Sequence, residues 1–564
     1  MDAKPSSINQ ILYLPETYII PVFQRYYEWE ESQWKQLWTD IQSIFENRAD
    51  SLNHFIGPFV FISHASPSST SHLIIDGQQR LITISLIFAA LRDLAKDRGF
   101  DSLSELLNNY LFFKDADGVR HMRLITRVLD RETFRNILNL DFSRIDQTSR
   151  VYKSYSYFKT KIKEFVDALG AENSSALKDL TETITRQLQL VEITLNLTDN
   201  PSNIYQSLNF SGKKLSDADL IRNYVFMKLP IDEQEKFESS VWRKFEDVFS
   251  SNNQLNTKAI EDFYYRFLIL KKGYFAFNTL YSEFTKFVDG FLTDNSPKYE
   301  DLEKFVILLN EFAEYYFYIV DLKEPDIEIH KALSRISKLS VDTATPFMLS
   351  LFYRYYNNTA DKKIDKAELI VYLQSLESFV IRRSILRLRT RGYGLDFADA
   401  IKKSSTIDEL RKYFIGKGWP TDQEIRDALR TFQIYIHEKK KANVILSEVE
   451  QALGHKEEVD LEDLTIEHIL PQALTDEWRS MLGDNSDTVH EKYVHTIGNL
   501  TLTGYNDELG NLPFHEKKAI LKESKLSINK YFDKIDTWDE THITNRTDMI
   551  TKQINRLWPR PKDS

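Results

Sequence analysis

The 564-residue chain contains no cysteine. That absence excludes disulfides, thiolate zinc sites, iron-sulfur clusters and cysteine nucleophiles, so any metal must sit on oxygen or imidazole. Breaker residues are scarce, with 17 Gly and 15 Pro against 36 Phe and 28 Tyr, which predicts aromatic cores in mostly helical layers rather than an all-β fold. No apolar run approaches the ~18 residues of a membrane span, and Met-Asp-Ala-Lys-Pro-Ser-Ser at the start lacks the basic and apolar regions of a secretion signal. A cytoplasmic protein with no membrane partner is expected. Excess positive charge is also missing: the net charge of −11 has the wrong sign for a protein that coats nucleic acid, so any such contact must be local. No Gly-x-x-x-x-Gly-Lys-Ser/Thr loop occurs, which argues against a P-loop motor.

What is present falls into three regions at this length: 8–230, 232–441 and 442–564. The first begins with a strand-like Tyr18 to Pro21 and a helical period from Gln33 to Phe45. Two short apolar runs, Phe59 to Ile62 and Leu73 to Ile75, flank the polar stretch His64 to Ser71 and read as a hairpin. After Asp76-Gly77 the period turns helical, with Leu81, Ile84, Ile87, Phe88, Leu91 and Leu94 on one face. The second region reads as successive amphipathic helices, clearest over Leu302–Leu322, Pro346–Tyr356 and Lys366–Arg389. A basic stretch from His437 to Lys441 marks an exposed boundary, and six of the twelve histidines follow it.

Asp76-Gly77-Gln78-Gln79-Arg80 stands where a strand meets a helix, so free backbone N–H groups and a positive helix end face outward, as a phosphate would require. Asp76 could hold a cation, Gln78 and Gln79 could reach phosphate oxygens, and Arg80 adds a fork of donors. A polar helix cap explains the same residues equally simply. Upstream, Gln24, Arg25, Tyr26 and Trp29 set an amide and a guanidinium among aromatics, able to stack a base and clamp a phosphate, or merely to pack around a buried ion pair.

Near the other end, Ile466 to Leu470 alternates as a strand does, His495 to Thr503 forms a second strand, and a helical segment follows: a ββα order. Phosphodiester hydrolysis needs a base for water and a means of neutralising phosphate charge, and an imidazole near neutral pKa, such as that of His468, can be the base. Glu467 points to the opposite face of an ideal strand, so a distortion would be needed for it to share a metal with its neighbour. In the middle region Arg382, Arg383, Arg387, Arg389 and Arg391 fall within ten residues, and a helix would gather most of them on one side for DNA phosphates or for pairing with neighbouring acids.

The segments Ile20-Pro21-x-Phe23-Gln24-Arg25-x-Tyr27-x-Trp29, His54 to Gly57, Ile75 to Leu81, Leu208 to Leu215 and Asp219 to Asn223 together resemble the N-terminal domain of the GmrSD family of modification-dependent (type IV) restriction endonucleases, whose relatives include phosphorothioate-sensing and BREX-associated defence proteins. The stretch 460–525 resembles that family's C-terminal HNH, or ββα-metal, nuclease through His468 to Pro471, His495 to Leu500 and Asn506 to Lys517. The resemblance implies an α+β, predominantly helical protein: a ParB/sulfiredoxin-like domain that binds and hydrolyses nucleoside triphosphate, a helical spacer, and a nuclease. It implies nucleotide contacts at Asp76, Gly77, Gln78, Gln79 and Arg80, and modification or phosphate recognition at Gln24, Arg25, Tyr26 and Trp29. His468 becomes the general base, Asn499 the asparagine that fixes it, Glu467 and Asn506 or Asn511 the ligands of Mg²⁺ or Mn²⁺, and Lys517 a phosphate contact. Without flanking cysteine pairs, packing rather than zinc must support the hairpin. The expected function is nucleotide-regulated cleavage of modified double-stranded phage DNA, with GTP, UTP and ATP as alternatives and a homodimer left open. A non-cleaving nucleotide-dependent sensor and an RNA-directed nuclease are the competing readings.

Overall fold

A computed structural model describes residues 2–47, 53–65, 70–170, 174–195, 216–251, 254–292, 298–454, 461, 464–504 and 506–562. The protein is α+β and mostly helical, with a small mixed sheet. Among the described residues no helix is long and apolar enough to cross a membrane. The chain divides into two compact units, 1–261 with 281–306 and 262–280 with 307–564, so the expected spacer is shared between them.

The first unit is built on a six-stranded sheet in the order Asp2–Ser7, Leu188–Leu195, His54–Ala65, Thr70–Asp76, Glu16–Ile19 and Leu124–Ile125. The predicted hairpin forms, His54–Ala65 running antiparallel to Thr70–Asp76 with a register shift at Val60/Phe61, and both Leu188–Leu195 and Glu16–Ile19 add in parallel. Gly77 makes the turn at φ 96°, a left-handed conformation that glycine adopts without steric cost, and helix Gln78–Asp97 follows. That helix is buried on nearly every face, against Trp34, Leu37, Trp38, Ile41 and Phe45 of helix Glu31–Glu46 and Phe158 of helix Arg150–Ala168, among others in one core. The strand-turn-helix junction is therefore rigidly supported from beneath.

In the second unit, helix Lys366–Ile385 ends four residues before the expected Arg389, because Arg387 takes a left-handed φ of 52°. The stretch His437 to Lys441 does not break the fold: Glu438 joins the short helix Ile434–His437 to helix Lys439–Leu453. Strand Thr465–His468 pairs antiparallel with Leu500–Thr503, His468 opposite Leu500. The predicted second strand is thus shorter than His495 to Thr503, since Ile497–Asn499 closes a tight 3₁₀ turn first. Helices Asn506–Leu509 and Phe514–Lys522 complete the ββα order. Trp478, Phe514, Phe532 and Trp538 belong to the core that packs against Ile469 and Leu470 at the end of the hairpin strand.

Candidate active site

In the first unit the motif segments meet at the sheet-to-helix junction. Gln24 is buried and donates through Nε2 to Ile75 O at 2.8 Å. Gln79 Oε1 accepts from the backbone N–H of Glu28 (2.7 Å) and Trp29 (3.3 Å), while its Nε2 donates to Tyr26 O at 2.9 Å. Arg80 donates to Ile56 O at 2.7 Å and to Pro58 O, filling the space beside Gly57, where a Cβ would stand 1.7 Å from Nη1. Arg25 pairs with Asp219, and the Asn223 amide, with its oxygen and nitrogen assigned to satisfy both, donates to Phe23 O at 2.6 Å. The Leu208 to Leu215 segment lies outside the described residues.

These bonds hold backbone with Gln24 Nε2, expected in modification or phosphate recognition, and with the Gln79 amide and the Arg80 guanidinium, expected at a nucleotide. Desolvated main-chain groups need partners, and long amide and guanidinium side chains supply them at distances no strand or helix spans. Trp29 is half-buried against the core. Asp76 keeps a 36% exposed carboxyl, 3.5 Å from Arg80, and burial pushes its pKa up against the opposing pull of Arg80 and the Gly77 N–H. Gln78 is nearly buried on the first turn of the helix.

Sequence reasoning missed the charged cluster below this loop. The Arg127 guanidinium lies 3.5 Å from the centre of the Tyr26 ring and pairs with buried Glu238, which also accepts from Arg222 at 2.8 Å and from the Tyr26 hydroxyl at 3.1 Å. Burial, then the neighbouring Arg222, pulls the Arg127 pKa down to about 9. Arg222 sat in a motif already noted, but Arg127 and Glu238 stand alone in the sequence and signal nothing.

In the second unit His468 closes its strand with its ring 4% exposed and Nε2 3.1 Å from His495 Nδ1. Tyr435 stands edge-on to His468, with ring centres 4.4 Å apart, and lies nearly parallel to His495 at 5.7 Å. Burial, reinforced by His495 and Lys517, lowers the His468 pKa to about 3, and burial also lowers that of His495. Both rings are therefore neutral near pH 7, each with one donor and one acceptor nitrogen. If His468 donates from Nε2 to His495, its Nδ1 is left as the acceptor nitrogen.

Asn499 is fully buried and saturated. Its Oδ1 accepts from Leu470 N (2.7 Å) and Trp538 Nε1 (3.0 Å), and its Nδ2 donates to Leu470 O (2.9 Å) and Val494 O (2.8 Å). It ties the backbone just after His468 to the backbone just before His495. Arg546 holds the same turn from behind by donating to Gly498 O at 2.9 Å and to Leu500 O. Gly498 has to be glycine there: a Cβ would lie 2.4 Å from Ile543 O and 2.2 Å from Thr547 Oγ1 of helix Glu540–Leu557.

Three expectations need correction. Lys517 is fully buried, donating to Glu467 Oε1 at 2.7 Å and His468 O at 2.6 Å, so its ammonium faces the hairpin and not a phosphate. Glu467 turns to the opposite face from His468, as strand geometry requires, and no distortion brings it round. Its carboxylate is paired with the Lys517 ammonium. Arg382 is also fully buried, donating to Trp558 O (2.6 Å), Pro420 O (3.0 Å), Asp422 (2.7 Å) and Asn555 (3.1 Å). Arg383 is half-buried on Lys417 O and Gly418 O, whereas Arg387, Arg389 and Arg391 are exposed beyond the helix end. The arginines therefore do not form one helical stripe.

Of the other expected cation ligands, Asn511 is exposed and the side chain of Asn506 lies outside the described residues. No group of three His, Asp or Glu residues that could hold a metal exists among the described residues. With Glu467 committed to Lys517, the described donors do not by themselves build the oxygen-rich shell that Mg²⁺ or Mn²⁺ prefers.

Residues 8–226 match the family model described as GmrSD restriction endonuclease, N-terminal domain, and residues 419–553 match that for the C-terminal domain of GmrSD restriction endonucleases. No curated protein matches the chain. The two matches take in the sheet-to-helix junction and the His468 hairpin in their family order, and the chain belongs to the GmrSD restriction endonuclease family.

Proposed function

We propose that this restriction endonuclease cuts modified double-stranded DNA at the His468 centre in an HNH-type reaction and that a nucleoside triphosphate bound by the first unit regulates the cut. The observation that carries the reading is the neutral His468–His495 pair, clamped at the end of a hairpin by Asn499. A base must be unprotonated at the working pH, as buried His468 is, but a pKa of about 3 also makes the resting imidazole a weak base, so substrate binding would have to raise it towards neutrality. His495 selects the tautomer by accepting from Nε2, which frees Nδ1 to take the proton of the attacking water. Asn499 fixes the main chain on either side of the pair, so the ring does not have to be ordered when the substrate arrives.

A divalent cation, Mg²⁺ or Mn²⁺, belongs to the proposal as a component of the reaction, by family resemblance. Nucleotide regulation rests on Asp76, Gln78 and the unpaired backbone donors of the helix that starts there, with Gln79 and Arg80 holding the loop and strand around them. DNA phosphates would meet exposed Arg387 and Arg389.

The test is a plasmid-nicking assay with unmodified, base-glucosylated and phosphorothioated DNA, each with and without GTP, UTP or ATP, in Mg²⁺, Mn²⁺ or EDTA. Cutting of one modified substrate that depends on cation and nucleotide is expected. Cation-dependent cutting indifferent to both modification and nucleotide would remove the regulatory half of the proposal.

A further inference from the structure

Within the second unit, the arginine-rich stretch and the 437–441 stretch line a cavity of about 530 Å³. Leu339, Val341, Val380 and Leu388 give it apolar walls, and Arg387, Arg389 and Lys441 bring three cations to it. Two carboxylates also face it, Asp342 and Glu438, but Glu438 is already paired with Lys441 at 3.0 Å. The guanidinium groups of Arg387 and Arg389 make no hydrogen bond or ion pair among the described residues, unlike those of Arg382 and Arg383.

Two further features single the cavity out. Five non-glycine residues adopt left-handed backbone among the described residues, and two of them, Ser340 at φ 54° and Arg387 at φ 52°, line this one cavity. At Arg387 the conformation closes the helix C-terminus, its N–H bonding Ser384 O at 3.0 Å and the Leu388 N–H bonding Arg383 O at 2.9 Å. The effect at Arg387 is to end the helix and carry two unpaired guanidiniums to the cavity. The second feature is the segment 434–441. His437, Glu438 and Lys441 face the cavity, while Tyr435 packs on His468 and His495, donates from its backbone N to His495 O at 3.2 Å, and carries Lys439 at 4.8 Å over its ring. One short segment thus borders both the cavity and the candidate base.

We propose that the cavity is a phosphate-binding site gripped by Arg387 and Arg389, and that its occupancy is felt at His468 through the segment carrying Tyr435. A nucleic-acid phosphodiester and a free polyphosphate share the required chemistry. The coupling rests on the nuclease reading, and the binding deepens the DNA contact proposed above for Arg387 and Arg389, although it can be measured without cleavage.

Binding is measured on the full chain in EDTA, by anisotropy of a fluorescein-labelled unmodified duplex across a salt series. Arg387→Ala/Arg389→Ala is expected to weaken the duplex by at least about tenfold and to reduce the salt slope by about two, while Arg391→Ala, exposed nearby but outside the cavity, changes affinity less than about twofold. Unchanged affinity and slope in the double variant, or an equal loss in Arg391→Ala, would overturn the site. Inorganic pyrophosphate then names the source: competition against wild type but not against the double variant identifies a free polyphosphate, and its failure to compete identifies the DNA backbone. For the coupling, Tyr435→Ala should lower kcat about tenfold at unchanged duplex affinity, and an unchanged kcat would refute it. Because binding is read without turnover, a wild type that never cuts would sink the nuclease reading and leave the phosphate site standing.

Discussion

The junction at residues 76–80 and the hairpin at 465–503 both bear family motifs, yet they use their polar residues in opposite ways. At the junction the long side chains of Gln24, Gln79 and Arg80 are spent on backbone groups of Ile75, of residues 26–29 and of residues 56–58, which leaves the Asp76 carboxyl partly exposed. At the hairpin the fixing is done by Asn499, Arg546 and Lys517, which leaves an imidazole pair. A motif residue can therefore serve as scaffold or as reagent, and the pattern alone does not say which.

The contrast can be broken most forcefully at its glycines. Gly498→Ala drives a methyl into the backbone of helix Glu540–Leu557, which cannot yield, and should cost about 3 kcal/mol or more of stability in the second unit. Gly57→Ala meets the movable end of Arg80, so apart from the strain of its φ of 111° it should cost only about 1–2 kcal/mol. Urea melts of the two variants rank them, and an equal or reversed order would contradict the rigid-against-yielding picture.

Lys517→Met comes next, because it strands a buried carboxylate. A loss of about 3 kcal/mol is expected, largely recovered by adding Glu467→Gln. A double variant as unstable as the single would show that the ammonium's bond to His468 O matters more than the ion pair. Gln79→Ala should lose about 1–2 kcal/mol by freeing the Tyr26, Glu28 and Trp29 backbone groups, and should slow triphosphate hydrolysis without abolishing it. Complete loss at unchanged stability would return Gln79 to direct nucleotide contact.

An effect of similar size is a pH dependence. His468 titrates near 3 when folded and near its ordinary 6.5 when unfolded, so between those values the unfolded chain binds the additional proton and stability falls as pH falls. At pH 5 the wild type should have lost on the order of 1–2 kcal/mol relative to pH 7 through this residue. A His468→Phe variant should lose correspondingly less, as thermal melts at the two pH values would show.

Periodicity revealed the elements of both sites in advance, since the Gln78–Asp97 helix, its preceding hairpin and the His468 strand all bury the apolar residues that their spacing selects. Side-chain commitment stayed hidden. Arg382 reads as a surface cation until Trp558, Asn555, Pro420 and Asp422 arrive from distant sequence to satisfy it. The helix that carries it ends sooner than its periodicity predicts, because Arg387 takes the left-handed capping conformation without the glycine that usually signals it, its N–H bonding Ser384 O and that of Leu388 bonding Arg383 O. Glu467 was the exception: strand alternation alone put it on the face away from His468, and it stays there.

The most direct measurement is nicking of modified plasmid by His468→Ala and wild-type protein under identical cation and nucleotide conditions, with triphosphate hydrolysis followed in parallel. Cleavage by the variant should fall roughly a thousandfold while hydrolysis stays at the wild-type rate. Cutting by His468→Ala at the wild-type rate would contradict the assignment of the base and, with it, the central role given to the hairpin.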